Sequence, residues 1–321
     1  MIVAMGLWFT MLWMPGHMLE GNDMLDDQSN ADIMPVRSLS GQTLRAPALS
    51  PEARARLETN LASARAAYEA NPNDQENIVW LGRRTAYLWG YHEAIQIFTE
   101  GLAKHPDSYQ LLRHRGHRYI SVREFDKAIV DLERAAGLID GVMDHVEFDG
   151  APNKYNIPTS SNHFNIWYHL GLSYYLIGDF DNALRCFIEN EKYVYNFDAL
   201  VANSDWLYMI YRRLGREGRA AAVLERIDSG LNILENDAYF KRLLMYRGEV
   251  SADDLLDLNG DNDLTSELNL VTQGYGVANW YLYTGMPEKG KQILERILEN
   301  PYWSAFGYIA AEAELNRGPV Q

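Results

Sequence analysis

Hydrophobic residues recur three and four positions apart along almost the whole chain from Ser50 onward, which is the spacing of one face of an α-helix. Ser50, a capping hydroxyl, and Pro51 at the first helical position indicate where the first helix starts. Pro72 ends this helix, because proline disfavours helical backbone at the residue before it. The pattern therefore predicts a helix over about 51–70 and a chain that stays helical through most of its remaining length.

A small residue returns at a fixed interval within this helical pattern. Ala94 and Ala128 are 34 residues apart. Ala183 has the same position in a third unit, which begins some 21 residues later than this period predicts. A large apolar residue follows each alanine four positions later, at Phe98, Leu132 and Phe187. Small residues let two helices approach closely and large ones fill the space between them, so the chain is predicted to form repeated helix pairs.

The third unit has the clearest signature. Trp167, Leu170, Gly171 and Tyr174 follow the spacing W-x2-L-G-x2-Y. This spacing and the period resemble the tetratricopeptide repeat, a helix-turn-helix unit. The resemblance covers about residues 50–315 and implies an all-α fold, an α-solenoid of about five such repeats with a C-terminal capping helix. The wider pattern is similar to bacterial repeat proteins, often exported, whose function is unassigned.

The period and the local composition divide the chain into three parts. Residues 1–19 are an apolar N-terminal segment, residues 20–49 are polar and aperiodic and are predicted as a linker, and residues 50–320 form the solenoid. Two stretches interrupt the period. The first, which we name the insert, spans about 141–163, and the second, about 231–270, is predicted to be a degenerate repeat.

The apolar run over residues 1–14 carries no charge. It is shorter than the roughly 18 residues that a membrane span needs, and it has the length of the apolar region of a signal peptide. No Lys or Arg precedes it, so the alternative is an arm that packs on the domain or on a partner. We expect an exported or envelope-associated protein, with a cytoplasmic location as the alternative, and a contact of residues 1–14 with a membrane or a larger complex.

The charge balance removes several classes of function. The chain has 29 Lys and Arg against 44 Asp and Glu, a net charge of −15, which argues against nucleic acid as a partner of this acidic protein. Its one cysteine, Cys186, cannot form an internal disulfide or a cysteine-based zinc site. There is no serine-nucleophile, phosphate-loop or zinc-protease motif, so no catalytic residue, metal ion or cofactor is predicted.

In a tetratricopeptide solenoid, the first helix of each repeat lines the concave groove. Helical spacing then selects the side chains that face this groove or its edge. The candidate residues for binding a partner or ligand are Arg83, Tyr87, Arg113, His114, His117, Asn165, Tyr168, His169, Asp205 and Arg212.

A basic cluster stands out in this acidic chain. The run 113–118 reads RHRGHR, and Arg83 is predicted to lie beside it. Guanidinium groups suit carboxylates and phosphates, so one interpretation is a groove that holds an acidic peptide or a small anion. The other is that these arginines pair with the acidic insert residues 144–149 and with neighbouring helices.

The spacing of ligand residues offers two candidate metal sites. His114 and His117, with His163 or His169 as a third ligand, could hold a metal ion, but the surrounding arginines would repel a cation, which favours hydrogen-bonded structural histidines. Residues 257–267 alternate oxygen-bearing side chains as a calcium loop does. The acid that should be twelfth is eleventh, Glu267, so a solvated loop is predicted.

The favoured function is a non-enzymatic scaffold that binds a protein or peptide segment in the concave groove. The alternative is a small anionic ligand, or an enzyme, in a pocket that the insert closes, with acid–base chemistry at His117 or His169 and Asp205. An open groove would favour the first hypothesis. The second requires a lid that buries three side chains together: Asn156, Thr159 and His117.

Overall fold

A computed structural model of the chain describes residues 34–148, 150, 152–256 and 264–318. This part of the chain contains fourteen α-helices and one two-stranded ribbon. The helices are α1 (Pro51–Ala70), α2 (Gln75–Tyr87), α3 (Tyr91–Lys104), α4 (Tyr109–Ser121), α5 (Phe125–Leu138), α6 (Asn162–Ile177), α7 (Phe180–Asn190), α8 (Phe197–Arg213), α9 (Glu217–Leu224), α10 (Asp237–Tyr246), α11 (Ala252–Leu255), α12 (Leu264–Tyr283), α13 (Pro287–Leu298) and α14 (Phe306–Arg317). The strands are β1 (Val36–Arg37) and β2 (Thr43–Leu44).

Successive helices pack as pairs: α2 with α3, α4 with α5, α6 with α7, α8 with α9, and α12 with α13. The glycine on the first helix of a pair explains the close approach. A Cβ atom on Gly82 would lie 2.3 Å from the ring of Phe98, and one on Gly171 would lie 2.7 Å from the ring of Phe187. The predicted all-α solenoid is thus confirmed, together with the role of the small and large residues that define its period.

The helix ends follow the local sequence. The Ser50 hydroxyl accepts a hydrogen bond from the amide of Ala53 at the start of α1, and Asp74 and Ser161 cap α2 and α6 in the same way. Helix α6 ends at Gly178, whose φ of 84° is left-handed and is readily adopted only by glycine. These caps fix the register of the helices that carry the candidate residues.

Helix α14 packs against α12, α13 and α6 and is almost wholly buried. Its Glu312 forms an ion pair of 2.8 Å with Arg123 after α4, and its Glu314 forms one of 2.9 Å with Arg213 at the end of α8. The ring of Phe306 at its start lies 5.3 Å from that of His117. The capping helix therefore lies against the first helices of several repeats, on the side predicted to be an open groove.

The β1–β2 ribbon falls within the segment predicted as a linker. Val36 and Leu44 are buried, and the amide of Leu39 donates a hydrogen bond to Glu312 of α14. The indole of Trp303 donates to the carbonyl of Arg45 at 2.6 Å. Residues 36–45 are thus part of the folded body. None of the described helices is long and apolar enough to span a bilayer.

The insert runs along α2, α4 and α6 as an extended segment. The amide of Glu147 donates to the carbonyl of Ser160 at 3.1 Å, and the amide of Asn162 donates to the carbonyl of His145 at 3.0 Å. These two bonds form an antiparallel bridge between Val146 and Ser161. The insert therefore folds back on its own end just before α6 begins.

Candidate functional site

The side chains predicted to line the concave groove are mostly buried. Tyr87 and Arg212 are half-buried, and the rest are less than one-tenth exposed: Arg83, Arg113, His114, His117, Asn165, Tyr168, His169 and Asp205. Glu147 of the insert contacts Arg83, Arg113, His114 and Asn165. Phe306 of α14 packs against His117, Tyr168 and His169. The groove is thus occupied by other parts of the same chain.

Glu147 of the insert is the centre of the first covered region. Its Oε1 lies 2.9 Å from Nη2 of Arg113 and 3.8 Å from Nη1 of Arg83. Its Oε2 accepts a hydrogen bond of 3.0 Å from Nδ2 of Asn165, and Nε2 of His114 lies 3.8 Å from Oε1. The basic cluster therefore holds a carboxylate that comes from the insert, as the second interpretation of these arginines expected.

The arginines of α2 also hold the backbone of the insert. Nη1 of Arg83 donates to the carbonyl of Phe148 at 2.9 Å, and Nη1 of Arg84 donates to the carbonyl of Gly150 at 2.6 Å. A carboxylate and two main-chain carbonyls are thus bound by side chains of α2 and α4. This is how a groove would bind a foreign peptide, but here the ligand is internal.

The cavity inside the basic cluster is very small. It has a volume of about 10 Å³ and is lined by Arg83, Tyr87, Phe98, His114, His117 and Arg118. That is room for about one water molecule. The cluster therefore has no space for an organic anion while the insert is in place.

The three candidate histidines on α4 and α6 are neutral at pH 7. Burial, with Arg113 next in effect, lowers the pKa of His114 and of His169 well below the ordinary value. Burial and then Arg118 do the same to the pKa of His117. Nδ1 of His169 contacts the carbonyl of Asn165, and the rings of His117 and His169 lie 4.5 Å apart. Within the described residues, no group of three His, Cys, Asp or Glu could hold a metal ion.

These histidines lower the free energy of unfolding at acidic pH. Because the pKa of His117 is lowered in the folded state, the unfolded chain takes up the proton first as the pH falls below about 6.5. Replacing His117 with asparagine should reduce the slope of unfolding free energy against pH by up to about 1.4 kcal/mol per pH unit below that point. Urea unfolding at several pH values measures both slopes. They should coincide above pH 7.5, and equal slopes at pH 5.5 would contradict the assignment.

Asp205 and Tyr168 belong to a buried polar network between α6, α8 and α10. The carboxylate of Asp205 accepts hydrogen bonds of 3.0 and 2.7 Å from Nε and Nη2 of Arg242. The Tyr168 hydroxyl lies 2.8 Å from that of Tyr239 and accepts a bond of 2.7 Å from the indole of Trp206. With its oxygens held by Arg242, Asp205 is placed to fix helix packing rather than to exchange protons with a substrate.

The insert does not bury Asn156, Thr159 and His117 together, as the lid hypothesis required. Thr159 is buried, but its hydroxyl donates to Glu235, which Asn153 also contacts at 2.9 Å. Asn156 is exposed.

Cys186 is buried, and burial raises the pKa of its thiol to about 12, so it is not a nucleophile at neutral pH. The region considered for calcium, 257–267, lies largely outside the described residues.

One part of the concave side stays open. A cleft of about 440 Å³ lies between α2, α4 and the insert. It is lined by Asp74, Gln75, Glu76, Val79, Trp80, Arg83, Gln110, His114, Val146, Glu147, Phe148 and Asn162. Val146 and Phe148 are 55% and 66% exposed. Four of the twelve lining residues are apolar, Val79, Trp80, Val146 and Phe148, so the cleft offers an apolar patch within a mostly polar surface.

The comparison with known families matches one of the helix pairs. A family model described as tetratricopeptide repeat matches residues 164–189, which span α6 and α7. The chain contains a tetratricopeptide repeat. The match falls on the unit that carries Trp167, Leu170, Gly171 and Tyr174, so the resemblance drawn from that spacing is confirmed. No curated protein matches the sequence.

Several solved structures have a similar arrangement of helices. A crystal structure of MamA is 17% identical, with a TM-score of 0.41 over 62% of this chain and 92% of that one. YrrB, described as a TPR protein with an unusual peptide-binding site, is 13% identical, with a TM-score of 0.40 over 78% and 97%. A chain of the Cut9–Hcn1 complex is 12% identical, with a TM-score of 0.43 over 83% and 44%. At these scores no partner or site is transferred to this chain.

The spacing of the repeat predicted which face of each first helix points inward, but it did not predict the open cleft. Trp80, Gln110, Val146 and Phe148 line that cleft and were not among the candidate residues. Trp80 lies on α2 one turn before Arg84, outside the positions selected for the groove. The apolar residues of the insert, Val146 and Phe148, were the signal available in the sequence, because a polar loop has no reason to carry them.

Proposed function

We propose that this protein is an interaction scaffold that binds an extended segment of a partner protein in the cleft between α2, α4 and the insert. The observation that carries the proposal is the cleft itself, the open part of a concave side that the insert and α14 otherwise cover. The tetratricopeptide unit supports a scaffold, since such units stack into extended binding surfaces.

The charges of the cleft define the partner. Asp74 and Glu76 carry carboxylates. The third carboxylate, that of Glu147, is already paired with Arg113, and Arg83 is the one guanidinium that lines the cleft. Arg83 is already held by Phe148 and Glu147, and His114 is neutral. The cleft therefore favours a segment with Lys or Arg beside an apolar side chain, and not the acidic peptide that the arginines alone suggested.

A peptide selection tests the scaffold function. Random peptides displayed on phage are selected on the full chain, and the affinity of each selected peptide is measured for wild type and Trp80→Ala. We expect Trp80→Ala to weaken binding at least tenfold, because a partly buried Trp that lines a cleft is a typical hot spot. Trp280→Ala is the matched control, since Trp280 is also half-buried but lies on α12. Peptides that bind both variants equally would contradict the proposal.

We further propose that the scaffold acts at the cell envelope. The support is the uncharged apolar run over residues 1–14, which has the length of a signal-peptide core. Fractionation of the native host, with intact mass measurement of the purified chain, tests it. A chain shortened at its N-terminus in the envelope fraction supports export, and an intact chain in the membrane fraction supports anchoring. An intact chain in the cytoplasm overturns the proposal.

A further inference from the structure

We infer that the partner segment binds as a β-strand, pairing with the free edge of the insert at Val146. The inference rests on the proposed function and names the way in which the segment is held. Main-chain hydrogen bonds would give affinity and alternate side chains would give selectivity, as in other cases of strand addition.

The hydrogen bonds of the insert establish which way its backbone faces. Residues on either side of Val146 bond to the returning chain, through the amide of Glu147 and the carbonyl of His145. In an antiparallel bridge of this type, the N–H and C=O of the central residue point away from the partner strand. Within the described part of the chain, neither main-chain group of Val146 makes a hydrogen bond. Val146 therefore presents one donor and one acceptor on the outer edge.

That outer edge borders the cleft. Val146, Glu147 and Phe148 all line it, together with Trp80 of α2 and Gln110 of α4. The edge ends at Phe148, because the carbonyl of Phe148 is taken by Arg83. The pairing is thus limited to one residue of the partner, which would accept from the N–H of Val146 and donate to its C=O.

Residues 145–148 of this edge carry no lysine and no proline. Folded proteins protect an exposed edge with lysine, proline or a covering element. Here Val146 is β-branched and 55% exposed, and the next side chain on the same face, Phe148, is 66% exposed. In an added strand, alternate side chains would point towards Trp80 and the carboxylates of Asp74 and Glu76, which fits the cationic and apolar segment proposed above.

The decisive experiment methylates the backbone nitrogens of a selected peptide one at a time. Methylation at the residue that pairs with Val146 removes its donor and should weaken binding about tenfold, because one hydrogen bond is lost and the methyl group obstructs the edge. Methylation of the residues on either side should change affinity less than about twofold, since their N–H groups point away from the edge.

A protein variant provides the reciprocal test. Val146→Pro removes the N–H of the edge and should also weaken binding about tenfold, whereas Val146→Thr keeps the backbone and a branched side chain and should bind as wild type. The melting temperature of Val146→Pro checks that the insert remains folded. The methylation scan is independent of that control, because it leaves the protein unchanged.

The outcomes separate this inference from the proposed function. A single sensitive position flanked by tolerant ones supports strand pairing. Peptides that need Trp80 but tolerate methylation at every position would overturn strand pairing and leave the scaffold function standing. Peptides that do not depend on Trp80 would overturn both.

Discussion

Replacing Glu147 with alanine is expected to lower the free energy of unfolding by about 3–5 kcal/mol. The carboxylate of Glu147 lies 2.9 Å from Arg113, whose side chain is 1% exposed. Without it, a guanidinium that has lost its water also loses its counter-charge, and Asn165 loses an acceptor. The same change should release the insert from α2 and α4, so it also opens the covered part of the groove.

Urea unfolding of wild type and Glu147→Ala measures this effect. Asp181→Ala is the control, because the pair of Asp181 with Arg216 is 75% and 47% exposed and should contribute less than about 1 kcal/mol. The double variant Arg113→Met, Glu147→Leu should recover much of the loss, since it removes both charges of the 2.9 Å pair. A loss below 1 kcal/mol for Glu147→Ala would show that the insert is only loosely held.

Asp205→Asn is expected to cost a similar amount, about 3–5 kcal/mol. Both oxygens of Asp205 are engaged by Arg242, and both side chains are buried between α8 and α10. Asparagine keeps the shape of the side chain but removes the negative charge that balances Arg242. Its NH₂ group, which replaces one carboxylate oxygen, must then face an N–H donor of Arg242. The loss should appear as a lower urea midpoint with an unchanged denaturant slope.

Two comparisons show whether this effect comes from the buried ion pair. Asp107→Asn weakens a pair with Arg134 that is 75% and 50% exposed, so it should change stability by less than about 1 kcal/mol. Asp205→Leu combined with Arg242→Met removes both charges and should be more stable than Asp205→Asn alone. If Asp205→Asn were as stable as wild type, Asp205 would be free for a role in binding.

The sequence was sufficient for the helices and for their pairing. Helical spacing, the Ser50 cap and the recurrence of Ala94 and Ala128 depend on contacts within one repeat, and the structure confirms the solenoid they predict. The inward direction of Arg113 and His117 was also correct, because it follows from helix geometry. What covers them could not be read from the pattern.

The reason is the sequence distance of the covering elements. Arg123 and Glu312 are 189 residues apart, and no periodicity relates one to the other. The pairing of Arg113 with Glu147 was considered, since the insert is acidic and close in the chain, but charge alone did not distinguish it from a foreign ligand. The cleft also depends on tertiary placement, because Trp80 and Val146 line the same cleft only when the insert folds back on its own end before α6.

Helix α14 contacts parts of the chain that the ribosome synthesises at very different times. Glu312 forms an ion pair with Arg123, and Glu314 forms one with Arg213. The ring of Phe306 covers His117. In an open repeat array each unit can stack as soon as it is made. Here the early repeats leave the ribosome before α14 can cover the arginines and apolar side chains that it buries in the folded protein. Synthesis proceeds at about 5–20 residues per second. The nascent chain is therefore expected to need chaperone protection until α14 has left the exit tunnel.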